Sequence, residues 1–146
     1  MKVKHILKNK GPEVFTIGEE KTIYDALRIL VNNNIGVLLV LNSEAKIVGI
    51  FSERDTIKEV FKNPDGFKDK PVKDVMTKNI IFVEPEDEID YVESIMTENH
   101  IRHLPILDKN VLVGLISIGD IVKSLLTNTQ FENKYLKDYI SGNLIS

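Results

Sequence analysis

The sequence lacks several residues on which whole classes of protein depend. It has no cysteine and no tryptophan, and aromatic residues make up 7% of its 146 residues. Without cysteine the chain can form no disulfide, no thiolate zinc site and no cysteine nucleophile. The three histidines, His5, His100 and His103, do not form a clustered metal-binding motif. We therefore predict no metal site.

Long apolar segments and an excess of positive charge are also missing. The longest apolar runs, such as Val37 to Leu41, are far shorter than the roughly 18 residues of a membrane span. No apolar signal-peptide region follows the first residues. Lysine and arginine number 19 against 22 aspartates and glutamates, so the net charge is -3 and no basic excess would attract nucleic acid. We predict a cytoplasmic protein that binds neither membrane nor nucleic acid.

Recognisable catalytic motifs are absent. Neither of the glycine-rich phosphate-loop patterns occurs, and neither Ser52 nor Ser117 has a histidine at the spacing of a known triad. The acidic run from Glu84 to Asp90 lies at the start of a predicted helix, where it is typical of solvated surface that matches the helix dipole. We therefore predict that the chain is not an enzyme.

What the sequence does contain is an internal repeat. A shift of about 66 positions aligns Glu13 to Ile17 with Asn79 to Val83, and a shift of about 65 aligns Gly49 to Asp55 with Gly114 to Asp120. A single copy is too small to close its own core. Face-to-face pairing of the two copies, with approximate twofold symmetry, is therefore predicted.

Each copy has the pattern strand, helix, strand, strand, helix. In the first copy the predicted strands and helices are Val14 to Ile17, a helix from Thr22 to the asparagines Asn32 to Asn34, Gly36 to Leu41, Ile47 to Phe51, and a helix from Ser52 to Lys62. In the second copy they are Ile80 to Val83, a helix from about Glu86 to Glu98, His103 to Leu107, Val111 to Ile116, and a helix from Ser117.

Both copies place a serine and an aspartate where a strand meets a helix. Ser52 precedes Asp55 by three positions, and Ser117 precedes Asp120 in the same way. A hydroxyl and free N–H groups at a helix start suit a phosphate, and a carboxylate can accept two hydrogen bonds from a ribose diol. The same pattern is close to a capping box, so simple helix capping is the alternative interpretation.

A second cluster lies at the start of a strand of the second copy. Arg102 offers a fork of donors for phosphate, and His103 adds a titratable donor. The alternative is that both are solvated residues at a strand edge. The corresponding residues of the first copy, Gly36 and Val37, are uncharged, so an anion site built here would be asymmetric.

The combined motifs resemble a tandem pair of cystathionine β-synthase (CBS) domains, over roughly residues 8 to 126. The segments that carry the resemblance are Thr22 to Ala26, Ile35 to Leu41, Gly49 to Asp55, Val75 to Thr77, Ile101 to Ile106 and Gly114 to Asp120. The resemblance implies an α/β (α+β) fold of two βαββα repeats packed through their sheets with pseudo-twofold symmetry. The expected organisation is repeat 1 over 8–66, a linker over 67–78, repeat 2 over 76–127 and a helical tail over 128–146.

The resemblance also implies a regulatory, energy-sensing module that binds AMP, ADP or ATP, or else NADH or S-adenosylmethionine, in clefts between the repeats. The implied contacts of the main cleft are Gly11, Pro12, Val14, Ile35, Gly36, Val37, Arg102, His103, Ser117 and Asp120. Those of the second cleft are Ser52, Arg54, Asp55, Lys78, Asn79, Ile80 and Ile101.

In the main cleft Asp120 would bind the ribose, the adjacent serine, arginine and histidine the phosphate, and the remaining residues the adenine. In the second cleft Asp55 would bind the ribose and Ser52 the phosphate, with Arg54 placed to reach a phosphate of either cleft. Because Gly36 and Val37 replace the basic pair, one dominant site is expected.

The resemblance further implies a homodimer that regulates another protein in trans, with no required cofactor. One alternative is a dimerisation scaffold whose clefts are vestigial, and a nucleotide-processing enzyme is a weaker one. In the tail, Leu136, Tyr139 and Ile140 share a helical face that packs either on a partner subunit or on the same chain.

Overall fold

The computed structural model describes residues 1–11 and 13–126. Within them the chain forms two compact units: unit 1 contains residues 1–11 and 82–126, and unit 2 contains residues 13–81. Each unit combines helices with a small sheet, so the fold is α+β as expected. The predicted contact Pro12 and the predicted tail helix lie outside the described residues. The predicted repeat boundaries and the pairing of the copies stay predictions.

The helices and strands follow the duplicated order of the sequence. In chain order they are α1 (Val3–Lys10), β1 (Thr16–Gly18), α2 (Ile23–Asn33), β2 (Val37–Leu41), β3 (Ile47–Ser52), α3 (Glu53–Lys62), α4 (Ile89–Asn99), β4 (His103–Asp108), β5 (Val111–Ser117) and α5 (Ile118–Leu125). No helix in the described part of the chain is long and apolar enough to span a membrane.

The sheet of unit 2 has the order β1-β2-β3, with β1 parallel and β3 antiparallel to the central β2. Residues 37–40 of β2 are all buried, as the continuous apolar run predicts for a strand covered on both faces. Leu38 and Phe51 pack with Ile23 and Ala26 of α2 in the core of this unit. Thr22 caps α2, and Asn34 ends it in the left-handed conformation.

Unit 1 differs from the prediction before β4. The strand predicted over Ile80 to Val83 is wrong: only Val83 forms a bridge, to Ile106 of β4. Val83 donates to the carbonyl oxygen of Pro105 and accepts from the backbone N of Leu107, but Pro105 has no N–H to donate to the segment before Val83, so the ladder does not extend. Helix α4 also begins at Ile89 rather than near Glu86, because a turn precedes it.

Helix α1 is absent from the sequence-based prediction, and it belongs to unit 1. Val3 and Ile6 are buried, at 0% and 4% exposure. Lys2 and Lys4 each place Nζ 2.9 Å from a carboxylate oxygen of Glu86. Hydrogen bonds from these two lysines, and their charges, lower the pKa of Glu86 to about 2. The acidic run is therefore solvated surface, as predicted, but it also anchors α1.

In each unit a glycine at an equivalent position allows another segment of the chain to pack closely against a strand of the sheet. A Cβ added to Gly114 of β5 would overlap the side chain of Leu7 in α1, and a Cβ added to Gly49 of β3 would overlap that of Met76. Met76 follows a 3-10 turn over Val72–Asp74 whose Val72 is fully buried in unit 2. Helix α1 thus packs in unit 1 as the segment 72–77 packs in unit 2.

Candidate functional site

Both Ser-x-x-Asp motifs form capping boxes. In unit 1 the backbone N of Ser117 donates to Oδ2 of Asp120 at 2.9 Å, and the backbone N of Asp120 donates to Oγ of Ser117 at 3.1 Å. In unit 2 the same bonds join Ser52 and Asp55 at 2.9 and 3.4 Å. The capping interpretation is therefore confirmed. Each box uses Oδ2 of its aspartate and not Oδ1.

Asp120 has a further partner from the end of α1. Lys10 places Nζ 2.6 Å from Oδ2 of Asp120 and also donates to the carbonyl oxygen of Leu115 at 2.8 Å. The hydrogen bonds of this carboxylate within the described residues therefore converge on Oδ2.

The carboxylate of Asp120 is partly buried, with its side chain 22% exposed. Burial raises its pKa, but the hydrogen bonds from Lys10 and from the Ser117 backbone, with the Lys10 charge, outweigh burial and hold the pKa below its ordinary value. These contacts stabilise the fold above the ordinary carboxyl pKa of about 4, and the stabilisation is lost as the pH falls through the lower folded-state pKa.

We expect Lys10→Met to raise the pKa of Asp120, because the substitution removes the Lys10 hydrogen bond and charge while burial remains. An NMR titration of the side-chain carboxyl carbon measures this directly. Lys8→Met is the matched control, since Lys8 is an exposed lysine of the same helix and forms no ion pair within the described residues. An unchanged pKa in Lys10→Met would contradict the ion pair.

The basic pair predicted for phosphate lies beside this capping box. The backbone N of Ile118 donates to the carbonyl oxygen of Arg102 at 2.9 Å, and His103 lies opposite Ser117 in the pairing of β4 with β5. The Arg102 side chain is exposed, and His103 is half-buried. We call Lys10, Arg102, His103, Ser117 and Asp120 the unit 1 corner.

The equivalent place in unit 2 carries different side chains. Thr77 donates from Oγ1 to Oδ1 of Asp55 at 3.4 Å. The backbone N of Glu53 donates to the carbonyl oxygen of Gly36 at 3.1 Å. We call Gly36, Ser52, Glu53, Asp55 and Thr77 the unit 2 corner. It has no lysine where unit 1 has Lys10 and no arginine where unit 1 has Arg102.

The other predicted contacts are distributed over both units. Gly11 directly follows Lys10 in unit 1, where its φ of 89° is a conformation that favours glycine. Ile101 is half-buried in unit 1. The predicted contacts remaining in unit 2 are half-buried Val14, Ile35 and Ile80, buried Val37, and exposed Arg54, Lys78 and Asn79.

Sequence reasoning missed Lys10, Thr77 and Glu53 as members of these corners. Lys10 donates from its side-chain Nζ to the carbonyl oxygen of Leu115. Thr77 donates from its backbone N to the equivalent carbonyl oxygen of Ile50 at 2.9 Å. The repeat shift of about 66 pairs Lys10 with Met76 rather than with Thr77, so the alignment gave no signal for this equivalence.

A shallow groove also lies in unit 2. Its volume is about 450 Å³, and β1 and α2 supply its lining, including Asp25 and Arg28. None of the predicted ligand contacts lines it. Among residues 1–11 and 13–126, no group of three or more acidic or histidine side chains is arranged to hold a metal ion.

The pattern of the CBS domain matches two parts of the chain, residues 3–62 and 72–127. The chain belongs to the CBS domain family. The two matches correspond to the two copies of the internal repeat, as the resemblance of the sequence predicts. A CBS domain pair fits a regulatory module that binds a ligand.

Relatives of known sequence or structure have the same CBS pair. The mitochondrial CBS domain-containing protein CBSX3 of Arabidopsis thaliana is 29% identical over 148 residues, which cover 96% of this chain and 72% of the relative. The crystal structure of the CBS-domain containing protein ATU1752 from Agrobacterium tumefaciens is 35% identical, with a TM-score of 0.82 over 84% of this chain and 91% of that one.

A further structure carries ligands. The CBS domain pair of protein MJ0100, in complex with methylthioadenosine and S-adenosyl-L-methionine, is 26% identical to this chain. Its TM-score is 0.73, and the match covers 86% of this chain and 95% of that one.

Proposed function

We propose that this CBS pair is a regulatory module that binds an adenosine nucleotide, AMP, ADP or ATP, chiefly at the unit 1 corner. The observation that carries the proposal is the geometry of Asp120: the hydrogen bonds described for it, from Lys10 and Ser117, both go to Oδ2, and Oδ1 is the atom we assign to the ribose hydroxyls. Both ligands of the MJ0100 structure contain adenosine, which supports the ligand class.

The charges of the unit 1 corner support a phosphate-bearing ligand there. Lys10, which is paired with Asp120, and exposed Arg102 bring two cations to the start of α5, where the helix dipole also favours an anion. Ser117 supplies the hydroxyl at this helix start. The adenine contacts predicted at Gly11, Pro12, Val14 and residues 35–37 remain part of the proposal.

The unit 2 corner is the second, weaker nucleotide site in this proposal. Asp55 and Ser52 repeat the capping box and are proposed to bind the ribose and the phosphate, with Arg54 as the nearest cation along α3. Oδ1 of Asp55 already accepts from Oγ1 of Thr77 at 3.4 Å, which is consistent with a weaker site. The base would lie near Lys78, Asn79, Ile80 and Ile101. NADH and S-adenosylmethionine are the other adenosine-containing ligands that the same contacts would accept.

Calorimetric titration tests the proposal. AMP and ATP are titrated separately into the full chain, and adenosine is titrated as the phosphate-free reference. We expect one strong site for the nucleotides and a second that binds them more weakly. Native mass spectrometry of the purified protein reports the number of ligands bound. Two equal nucleotide sites would contradict the dominant site, and no binding of any adenosine compound would overturn the proposal.

Exposed apolar side chains on equivalent helices support a homodimer. Ile57, Val60 and Phe61 of α3 are 69%, 36% and 88% exposed, while the buried residue of this helix is Glu59. On α5, Val122 and Leu125 occupy the positions equivalent to Ile57 and Val60, and they are 48% and 58% exposed. A twofold dimer buries the same patch on both subunits and would cover such faces.

Phe61→Glu tests the dimer. Because Phe61 is almost fully exposed, we expect the substitution to leave the fold stable and to shift the protein from dimer to monomer in analytical ultracentrifugation. Lys62→Glu is the matched control at the neighbouring exposed position. A monomeric wild-type protein would contradict the dimer, and a Phe61→Glu protein that stays dimeric would contradict the role of α3.

The dimer also defines the alternative function, a scaffold whose clefts are vestigial. Ligand-linked stabilisation separates the two functions, because only a protein that binds the ligand gains thermal stability from it. Regulation of a partner in trans requires in addition that the nucleotide binds two states of the module with different affinity.

A further inference from the structure

The two corners use the same backbone geometry with opposite charges. The residue after each capping serine donates its N–H to the carbonyl oxygen of the residue before β4 or β2: Ile118 to Arg102 at 2.9 Å in unit 1, and Glu53 to Gly36 at 3.1 Å in unit 2. Glu53 and Gly36 therefore hold in unit 2 the places that Ile118 and Arg102 hold in unit 1.

The carboxylate of Glu53 lies over Gly36. Its carboxyl carbon and oxygens are 3.5 to 3.7 Å from the point where a Cβ on Gly36 would stand. In unit 1 the side chain of Arg102 starts from the equivalent point. In the unit 2 corner the negative charge of Glu53 thus lies at the position from which the positively charged side chain of Arg102 extends in the unit 1 corner.

No cation within this corner offsets Glu53. Thr77 stands in the place of Lys10, and Asp55 adds a second carboxylate. Arg54 is the next residue of α3, and adjacent residues of a helix do not face each other. Glu53 forms no ion pair within the described residues, unlike Asp120 of the unit 1 corner.

We propose that Glu53 makes the unit 2 corner selective for adenosine compounds whose 5′ substituent is uncharged or cationic. The inference rests on the proposed function, because it assumes that Asp55 binds a ribose. A phosphate at Ser52 would meet a like charge, whereas a neutral or sulfonium group would not. The two units then prefer adenosine ligands of different charge. They do not bind one and the same ligand with high affinity in unit 1 and low affinity in unit 2.

The test uses the full chain with Asp120→Ala, which removes the ribose acceptor of unit 1 and leaves the unit 2 corner to be measured. Adenosine, S-adenosylmethionine and AMP are titrated by calorimetry. We expect adenosine and S-adenosylmethionine to bind about tenfold more tightly than AMP, as one like-charge contact near the surface predicts. Added salt should reduce this difference in affinity, because it screens the repulsion between Glu53 and the phosphate.

Adding Glu53→Gln to this background should bring the affinity for AMP to within about twofold of that for adenosine, because the amide keeps the shape and removes the charge. Glu44→Gln is the matched control: it removes an equal charge from the exposed turn between β2 and β3, where Glu44 pairs with Lys46. This control should leave the preference unchanged.

The outcomes distinguish this inference from the proposed function. If the wild-type chain binds no adenosine compound, the proposed function fails and the inference fails with it. If the wild type binds but the Asp120→Ala protein binds nothing, the unit 2 site and the inference both fail, while binding at the unit 1 corner stands. If the Asp120→Ala protein shows no preference against AMP, only the inference is overturned. A preference that persists in Glu53→Gln would also overturn it, because Glu53 would not be its cause.

Discussion

Asp120→Ala is expected to weaken AMP binding at the unit 1 corner by about 100-fold. The ribose hydroxyls would lose two charge-assisted hydrogen bonds, which together contribute about 3 kcal/mol. Lys10 would also lose its ion-pair partner and keep the hydrogen bond to the carbonyl oxygen of Leu115. Calorimetric titration of the full chain measures the change in affinity.

The control for this substitution must account for the lost helix cap. Asp25→Ala removes the same kind of capping box, formed with Thr22 at the start of α2, from a residue with no proposed ligand contact. We expect both substitutions to lower the free energy of unfolding by about 1 kcal/mol. Only Asp120→Ala should lose affinity. Equal AMP affinity in the two variants would refute the assignment of Asp120 to the ribose.

Ile6→Ala is expected to lower the free energy of unfolding by about 2 to 5 kcal/mol, the usual cost of a cavity at a buried isoleucine. Ile6 is 4% exposed in α1, whose neighbour Val3 is fully buried. Urea denaturation followed by circular dichroism measures the loss. This loss of stability would be large for α1, whose sequence gives little indication of a helix.

Lys8→Ala is the control for Ile6→Ala, since Lys8 is exposed on the same helix. We expect its effect to stay within about 0.5 kcal/mol of zero. If Ile6→Ala is equally mild, α1 does not pack on unit 1 in solution. The position of Lys10 beside Asp120 would then also be in doubt, because α1 carries Lys10 to the site.

The position of α1 matters for the proposed ligand site. Its last residue, Lys10, bonds the carboxylate that is proposed to hold the ribose, and Gly11 follows at once. A nucleotide at this corner would therefore contact the end of a helix that is anchored at its other end by Lys2, Lys4 and Glu86. Ligand binding and the packing of α1 are expected to stabilise each other.

Local patterns account for the parts of the fold that the sequence predicted well. Thr22, Ser52 and Ser117 each cap a helix with an aspartate three positions later, and all the atoms of such a box lie within one turn. The continuous apolar run of β2 predicted its burial for a similar reason. Short-range spacing carries this information because the interacting residues are close in sequence.

The errors occurred where a partner distant in sequence decides the structure. Ile80 to Val83 is apolar enough for a strand, but only Val83 pairs with a strand, in a bridge opposite Ile106. Helix α1 is short and rich in lysine, and isolated helices of this length are unstable in water. Its stability comes from burying Val3 and Ile6 against residues more than 75 positions away.

The sequence by itself determined the duplication, the CBS family, the capping boxes and the two aspartates proposed to bind ribose. Only the tertiary structure placed Lys10 on Asp120, across 110 positions, and Glu53 over Gly36. The physical reason is that a capping box is closed by its own helix turn, whereas the charge at each corner depends on which side chains packing brings there. Two copies with the same motif therefore came to present different charges.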